Sequence, residues 1–128
     1  KIYVSKDDVV CGIISGDKSR KDEDRKLCRR LMHNLPEVFK GLTVRDFGSA
    51  ALHLSYLARG GFEATVQIGL HLHDFAAGVL IAQEAGAKIT TLDGSPWNFS
   101  ENHFIASNGV FHDLLVEEVQ KQKNRLGV

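Results

Sequence analysis

Only two cysteines, two prolines, one methionine and one tryptophan occur among the 128 residues of this chain. Cys11 and Cys28 are too few for a disulfide framework. Neither stands in the Cys-x-x-Cys or Cys/His spacing of a metal site. Both fall in apolar patterns, so reduced core thiols in a cytoplasmic protein are expected. Net charge is also missing: sixteen basic side chains balance sixteen acidic ones. No overall field therefore draws the chain to nucleic acid or to an anionic membrane. No apolar run reaches the length of a membrane span, nothing resembles a signal peptide, and no repeat, linker or low-complexity tract interrupts the chain. The chain opens on Lys1 and runs directly into strand-like sequence, as a cut through a larger protein would.

What remains is ordinary globular material. With 43% apolar residues, 128 residues suffice for one domain with a real core. Charge is dense from Lys18 to Arg30, which reads as a solvated helix face, and sparse from Val44 to Leu92, which reads as the buried centre. Val9 to Ser15 has strand character, with Gly16-Asp17 as its turn. Ser19 is placed to cap a helix from Arg20 to about Asn34, with Asp22 completing a near capping box. Leu35-Pro36 is expected to end it. Thr43 to Phe47 suits a strand, and Gly48-Ser49-Ala50 opens a helix that Gly60-Gly61 stops. Phe62 to Ile68 is β-branched and aromatic, hence a strand. From Phe75 the spacing is helical, with Phe75, Val79, Ala82 and Gly86 on one stripe and Leu80 and Ile81 widening it. Ala87 to Leu92 and His103 to Ser107 read as strands. The last helix follows Asn108-Gly109, with Phe111, Leu114, Leu115 and Val119 inward. Strands alternating with helices imply an α/β domain with a mainly parallel or mixed sheet and helices on both faces.

The segment Leu70-His71-Leu72-His73-Asp74-Phe75-Ala76-Ala77-Gly78 carries the strongest chemical signal. It places a carboxylate where a strand gives way to a helix, the position at which α/β sheets bind ligands. Asp74 either caps that helix or holds a cation that meets an anionic substrate. His71 and His73, two apart, would share a face of a strand and suggest zinc, but a third ligand is not evident. Gly48-Ser49-Ala50 offers helix N-terminal N–H groups to hydroxyls or phosphate, or packs closely as small residues do. Ser55 and Ser107 have no base that sequence can pair with them.

Taken in order, Arg45-Asp46-Phe47-Gly48-Ser49-Ala50-Ala51-Leu52, Ala58-Arg59-Gly60-Gly61, His73-Asp74-Phe75-Ala76-Ala77-Gly78 and Glu84-Ala85-Gly86-Ala87 form a succession of motifs. Asp93-Gly94-Ser95-Pro96-Trp97 and Ala106-Ser107-Asn108-Gly109 extend it. The succession resembles the C-terminal half of the inositol monophosphatase family, magnesium-dependent and lithium-sensitive sugar phosphatases. The resemblance implies that Asp74 is a metal ligand for Mg2+ and the catalytic carboxylate of this half. It implies that Gly48, Ser49 and Ala50 contact substrate hydroxyls and that His71 supports the ligand from behind. His73 stands where the family usually has Trp, and Gln67 where inositol-specific members place a Glu that grips ring hydroxyls. Gln donates as well as accepts, whereas an ionised Glu only accepts.

The family's remaining metal-binding carboxylates, an acidic pair and an Asp-Pro-x-Asp-Gly-Thr motif, are absent from this chain. The expectation is therefore one C-terminal domain, residues 1–128, of a two-domain phosphomonoesterase, inactive alone and completed by an N-terminal half in cis or trans. Its substrate would be a phosphorylated small molecule, either an inositol or polyol phosphate or a nucleoside bisphosphate, histidinol phosphate or fructose bisphosphate. Surface meant for the other half would favour a dimer or larger homo-oligomer. The competing readings are a non-catalytic binding or oligomerisation domain, and a zinc hydrolase built on His71, His73 and Asp74.

Overall fold

A computed structural model describes residues 2–3, 9–15 and 22–127. The expected Gly16-Asp17 turn, the Ser19 cap and the helix start at Arg20 lie outside the described residues. The elements run β1 (Ile2–Tyr3), β2 (Val9–Ser15), α1 (Asp22–Val38), β3 (Phe39–Lys40), β4 (Leu42–Arg45), α2 (Ala50–Ala58), β5 (Ala64–Ile68), α3 (Leu72–Glu84), β6 (Lys88–Thr90), β7 (His103–Ser107) and α4 (His112–Leu126). Five strands form one sheet in the order β4-β2-β5-β7-β6. β4, β2 and β5 are parallel, while β7 runs antiparallel to both β5 and β6. The sheet is mixed: β4-β2-β5 are parallel, as the alternation of elements implied, while β6 and β7, joined without a helix, add an antiparallel edge. A short parallel pair, β1 with β3, lies apart from it.

Side-chain alternation along the strands divides the interior into two layers. Cys11, Ile13, Val66, Ile68 and Ile105 face α1 and α4, where Leu27, Cys28, Leu31, Leu35, Leu115 and Val119 close the core. Phe104 and Ala106 face α2 and α3, meeting Leu54, Leu57, Phe75, Val79 and Ala82. Every residue of β5 is buried, as befits a central strand covered on both faces. Both cysteines are buried and unpaired, and burial pushes each thiol up to about 12.

Several boundaries differ from the sequence expectation. α1 continues through Pro36 to Val38. A proline in the last turn removes one hydrogen bond, and the fully buried Leu35 and Phe39 on either side hold the turn against the core. β4 stops at Arg45, and Phe47, 44% exposed, joins a ring cluster with His53, Tyr56 and Phe62 instead. β6 covers only Lys88–Thr90 of the expected Ala87–Leu92 strand. Gly86 lies beyond the C-cap of α3 with a φ of 93°, not on its stripe. Leu114 points outward, and His112 takes the buried place beside Leu115. Leu80 and Ile81 do not widen a buried stripe: each is more than half exposed. α2 and the sheet cover one side of α3 only.

Candidate active site

The sheet edge at the carboxyl ends of β4 and β5 gathers the candidate residues. α2 follows β4 and α3 follows β5 on the same face, so both helix N-termini open at this edge. The two helices pack tightly together, and Gly78 lets Leu54 approach: a Cβ there would stand 2.8 Å from Leu54 Cδ1. α1 follows β2 over one face of the sheet, whereas α2 and α3 follow its neighbours β4 and β5 over the other, a reversal at the strand ends of the type that α/β folds use for ligands.

The start of α2 is built by local chemistry. Asp46 Oδ1 accepts the Gly48 N–H at 2.7 Å, and Gly48 turns at φ 73°, a conformation that glycine adopts without cost. Ser49 is the N-cap, its Oγ accepting from Leu52 N at 3.1 Å. The remaining first-turn N–H groups point out of the N-terminal end of α2, as at any helix start. Gly48 is exposed, Ser49 half-buried and Ala50 buried.

At α3 the helix starts earlier than the hydrophobic spacing indicated. It begins at Leu72 with His71 as N-cap, which makes Asp74 the third helical residue and not the cap. Asp74 Oδ2 accepts the His71 backbone N–H at 3.1 Å, the reach-back half of a capping box. Its Oδ1 lies 3.3 Å from His73 Nε2 at the surface, and the carboxylate is 38% exposed. His71 and His73 therefore belong to a helix start and not to a strand. Their rings stack in parallel, 5.6 Å between centroids. Among the described residues, no three His, Cys, Asp or Glu side chains converge as a metal site, so His71, His73 and Asp74 do not assemble as the zinc reading requires.

Gln67 projects from β5 behind the start of α2 and is fully buried. Its Nε2 reaches the Ala50 carbonyl at 3.4 Å and Thr65 Oγ1 at 3.5 Å, while its Oε1 has no partner. Two histidines escaped sequence reasoning. His53, fully buried on α2, accepts the Phe47 N–H at Nε2, 2.9 Å, and meets Thr65 Oγ1 at 3.3 Å. Burial lowers its pKa, with Asp46 opposing. His103, at the start of β7, accepts the Gly69 N–H at 2.8 Å, ahead of the loop that delivers Asp74. The signal for His53 was present, since it shares the inward spacing of Ala50, Leu54 and Leu57. His103 is joined to Gly69 only by strand pairing. Ser107 does meet a base, His112 Nδ1 at 2.6 Å, but both are fully buried behind β7, where no substrate reaches them.

A small-residue helix start and a carboxylate-bearing helix start thus lie side by side at the ends of parallel strands of an α/β sheet. The chain belongs to the Inositol monophosphatase family, whose pattern it matches over residues 1–124. It is 35% identical over 121 residues to the chloroplastic phosphatase IMPL1 of Arabidopsis thaliana, covering 93% of this chain and 32% of that protein. It is 35% identical over 97 residues to the inositol-1-monophosphatase of Bacillus subtilis, covering 75% of this chain and 36% of the relative. The solved structure of the Thermotoga maritima IMPase superposes on 99% of this chain with a TM-score of 0.78 at 26% identity, and 48% of that structure is matched. The chain thus spans about a third of the length of these curated relatives and just under half of that solved structure.

Proposed function

We propose that the complete protein is a magnesium-dependent phosphomonoesterase acting on a phosphate ester of inositol or a related polyol. In this reading the present chain supplies the alcohol-binding wall and one metal ligand. The observation that carries it is the Asp74 carboxylate, held through Oδ2 by the His71 amide while Oδ1 stays at the surface beside His73. An ionised oxygen held at fixed orientation at a helix start fits a hard divalent cation. Magnesium commonly takes one or two carboxylates with phosphate and water, so one ligand from this chain fits part of a shared site. The other carboxylates come from the N-terminal half. When bound there, the metal supplies positive charge for the phosphate and acidifies a water for in-line attack.

The chain's own residues do the positioning. Gly48, Ser49 and Ala50 present the α2 N-terminus to the alcohol portion of the substrate, and the buried Gln67 supports that helix start from beneath through the Ala50 carbonyl. His71 keeps Asp74 in place through its backbone. The N-terminal half covers the exposed apolar side of α3, where Leu72, Leu80 and Ile81 are each more than half exposed, together with Leu52 of α2. Without that cover the same surface favours homo-oligomers. The reducing cytoplasm suits the two buried thiols. No helix among the described residues is long and apolar enough to cross a membrane.

The test is phosphate release from inositol monophosphate with magnesium, using this chain alone, the N-terminal half alone, and the two together. Activity confined to the mixture supports the proposal. An inactive mixture across a panel that includes nucleoside bisphosphate, histidinol phosphate and fructose bisphosphate leaves a non-catalytic binding domain as the reading.

A further inference from the structure

On the sheet face that α1 and α4 cover, the turn after β6 and the start of β7 border a cleft of about 280 Å³ against α4. That volume lies just below the range of about 300–1,000 Å³ usual for drug-sized ligands, which fits a molecule of amino-acid size. One wall is an acidic turn of fixed shape. The Thr91 N–H donates to the Ser95 carbonyl at 2.9 Å and the Gly94 N–H to the Thr91 carbonyl at 3.1 Å. The Thr91 hydroxyl and the Ser95 N–H both donate to Asp93 Oδ1. These bonds, Thr91 first and then Ser95, hold the Asp93 carboxyl down at about 2, so it is ionised at neutral pH. The turn is pinned to α4: Gln120 Nε2 donates to the Leu92 carbonyl at 2.7 Å, and a Cβ at Gly94 would stand 3.3 Å from Val116 Cγ1. Beside it, Glu101 Oε1 accepts the His103 N–H at 3.2 Å. Each carboxylate is therefore fixed through one oxygen, and these bonds leave Asp93 Oδ2 and Glu101 Oε2 uncommitted. The other wall is basic. Lys123 stands three residues beyond Gln120 on α4, hence on the same side of the helix, and is half-buried in the same cleft. Among the described ion pairs, none joins Lys123 to Asp93 or Glu101. The two signs share a cavity without meeting across it.

We propose that this cleft binds a small zwitterion of amino-acid size, its ammonium group on Asp93 and Glu101 and its carboxylate on Lys123. Ligands of a single sign satisfy only half of the lining. An anion such as phosphate faces two carboxylates, and a simple cation lies beside the Lys123 ammonium. A molecule carrying both charges answers both walls at once. The acidic wall is in place before the ligand arrives, so binding orders only the lysine chain and the ligand itself. His103 also lines the cleft, and its Nδ1 accepts the Gly69 N–H at 2.8 Å. An occupant is therefore one side chain away from the backbone that leads from β5 into α3, and the Gly69 amide reports its arrival. The site is independent of the proposed phosphatase chemistry, because it uses neither Asp74 nor the α2 helix start.

The test is a titration of this chain followed by nitrogen–proton correlation NMR. The probes are glycine, β-alanine, γ-aminobutyrate and ε-aminocaproate, which separate the two charges by increasing lengths, with butyrate and butylamine as singly charged controls. At least one zwitterion should give saturable shifts at the amides of Asp93, Glu101, His103, Lys123 and Gly69, and both controls should bind at least about tenfold more weakly. Lys123→Met removes the ammonium with little change of length, and Glu101→Gln keeps an oxygen for the His103 N–H. Each should weaken the best zwitterion by about tenfold or more, the loss of one charged hydrogen bond. No saturable shift with any of the four zwitterions overturns the proposal. So does equal affinity for either control, or affinity unchanged in both variants while their spectra remain those of the folded chain.

Discussion

The His71 backbone N–H and the Asp74 carboxylate close the first turn of α3 at 3.1 Å, which commits one carboxylate oxygen to the fold and leaves the other at the surface beside His73. Capping and metal binding, which sequence spacing offered as alternatives, are compatible because they use different oxygens. The two roles can be separated by substitution. Asp74→Asn keeps an oxygen for the His71 amide and should cost well under 1 kcal/mol of stability. Asp74→Ala loses the cap and should cost about 1 kcal/mol. Both should reduce the turnover of the complete protein by orders of magnitude, because neither retains the charge. Urea unfolding of this chain and phosphate release by the complete protein check the two parts separately.

Gly78 is where α2 and α3 touch. Alanine would gain about 1 kcal/mol of helix propensity. Its Cβ, however, would sit 2.9 Å from Leu54 Cβ, an atom fixed to the helix that cannot swing away. Overpacking of this kind costs about 1–3 kcal/mol, so Gly78→Ala should destabilise on balance, and Gly78→Val should do so more. Leu54→Ala removes the Cδ1 contact at 2.8 Å but keeps Cβ, so it should relieve only part of the Gly78→Ala cost, a coupling that a double-mutant cycle in denaturant reads directly.

Acid should weaken the fold before the carboxylates titrate. His112 is fully buried, meeting Ser107 at Nδ1 and Thr90 Oγ1 at 2.8 Å from Nε2. Burial first, then Lys88, lowers its pKa below 6.5, with Asp113 opposing. His53 is lowered likewise, chiefly by burial. An unfolded chain then binds these protons more readily than the folded one. Their contribution is complete above about pH 6.5 and declines as pH falls from there through the folded-state values. Denaturation midpoints between pH 7.5 and 5 should fall with acid, and His112→Gln should flatten part of that slope.

Cys11 and Cys28 should be inert in the folded chain. With both thiols pushed up to about 12 and both side chains buried, almost no thiolate exists at neutral pH. A maleimide or disulfide reagent should label neither residue in buffer and both in denaturant. Fast labelling in buffer would mean that the α1 side of the sheet opens readily.

Much of this architecture was legible because burial imposes periodicity. β2 and β7 begin and end where the apolar runs do. The small residues at Gly48-Ser49-Ala50 mark a true helix start. What spacing does not encode is the competition at element ends. Pro36 reads as a stop, yet the packing of Leu35 and Phe39 outweighs one missing hydrogen bond. Leu72 reads as loop because helix starts are set by capping groups, here Asp74 reaching back to His71, and not by apolar period. Leu80 and Ile81 look like core because sequence registers hydrophobicity without saying which partner will cover it. The link between Gln67 and His53 was beyond reach for a related reason. Fourteen positions separate them, and only the α2–β5 packing brings both to Thr65.

The central claim is that Asp74 holds a divalent cation in the complete protein, and manganese binding measured by electron paramagnetic resonance tests it most directly. The unmodified protein should bind the ion tightly in the presence of phosphate, and Asp74→Asn, still folded by circular dichroism, should lose at least one bound ion or about tenfold in affinity. Identical stoichiometry and affinity in the two proteins would contradict the account.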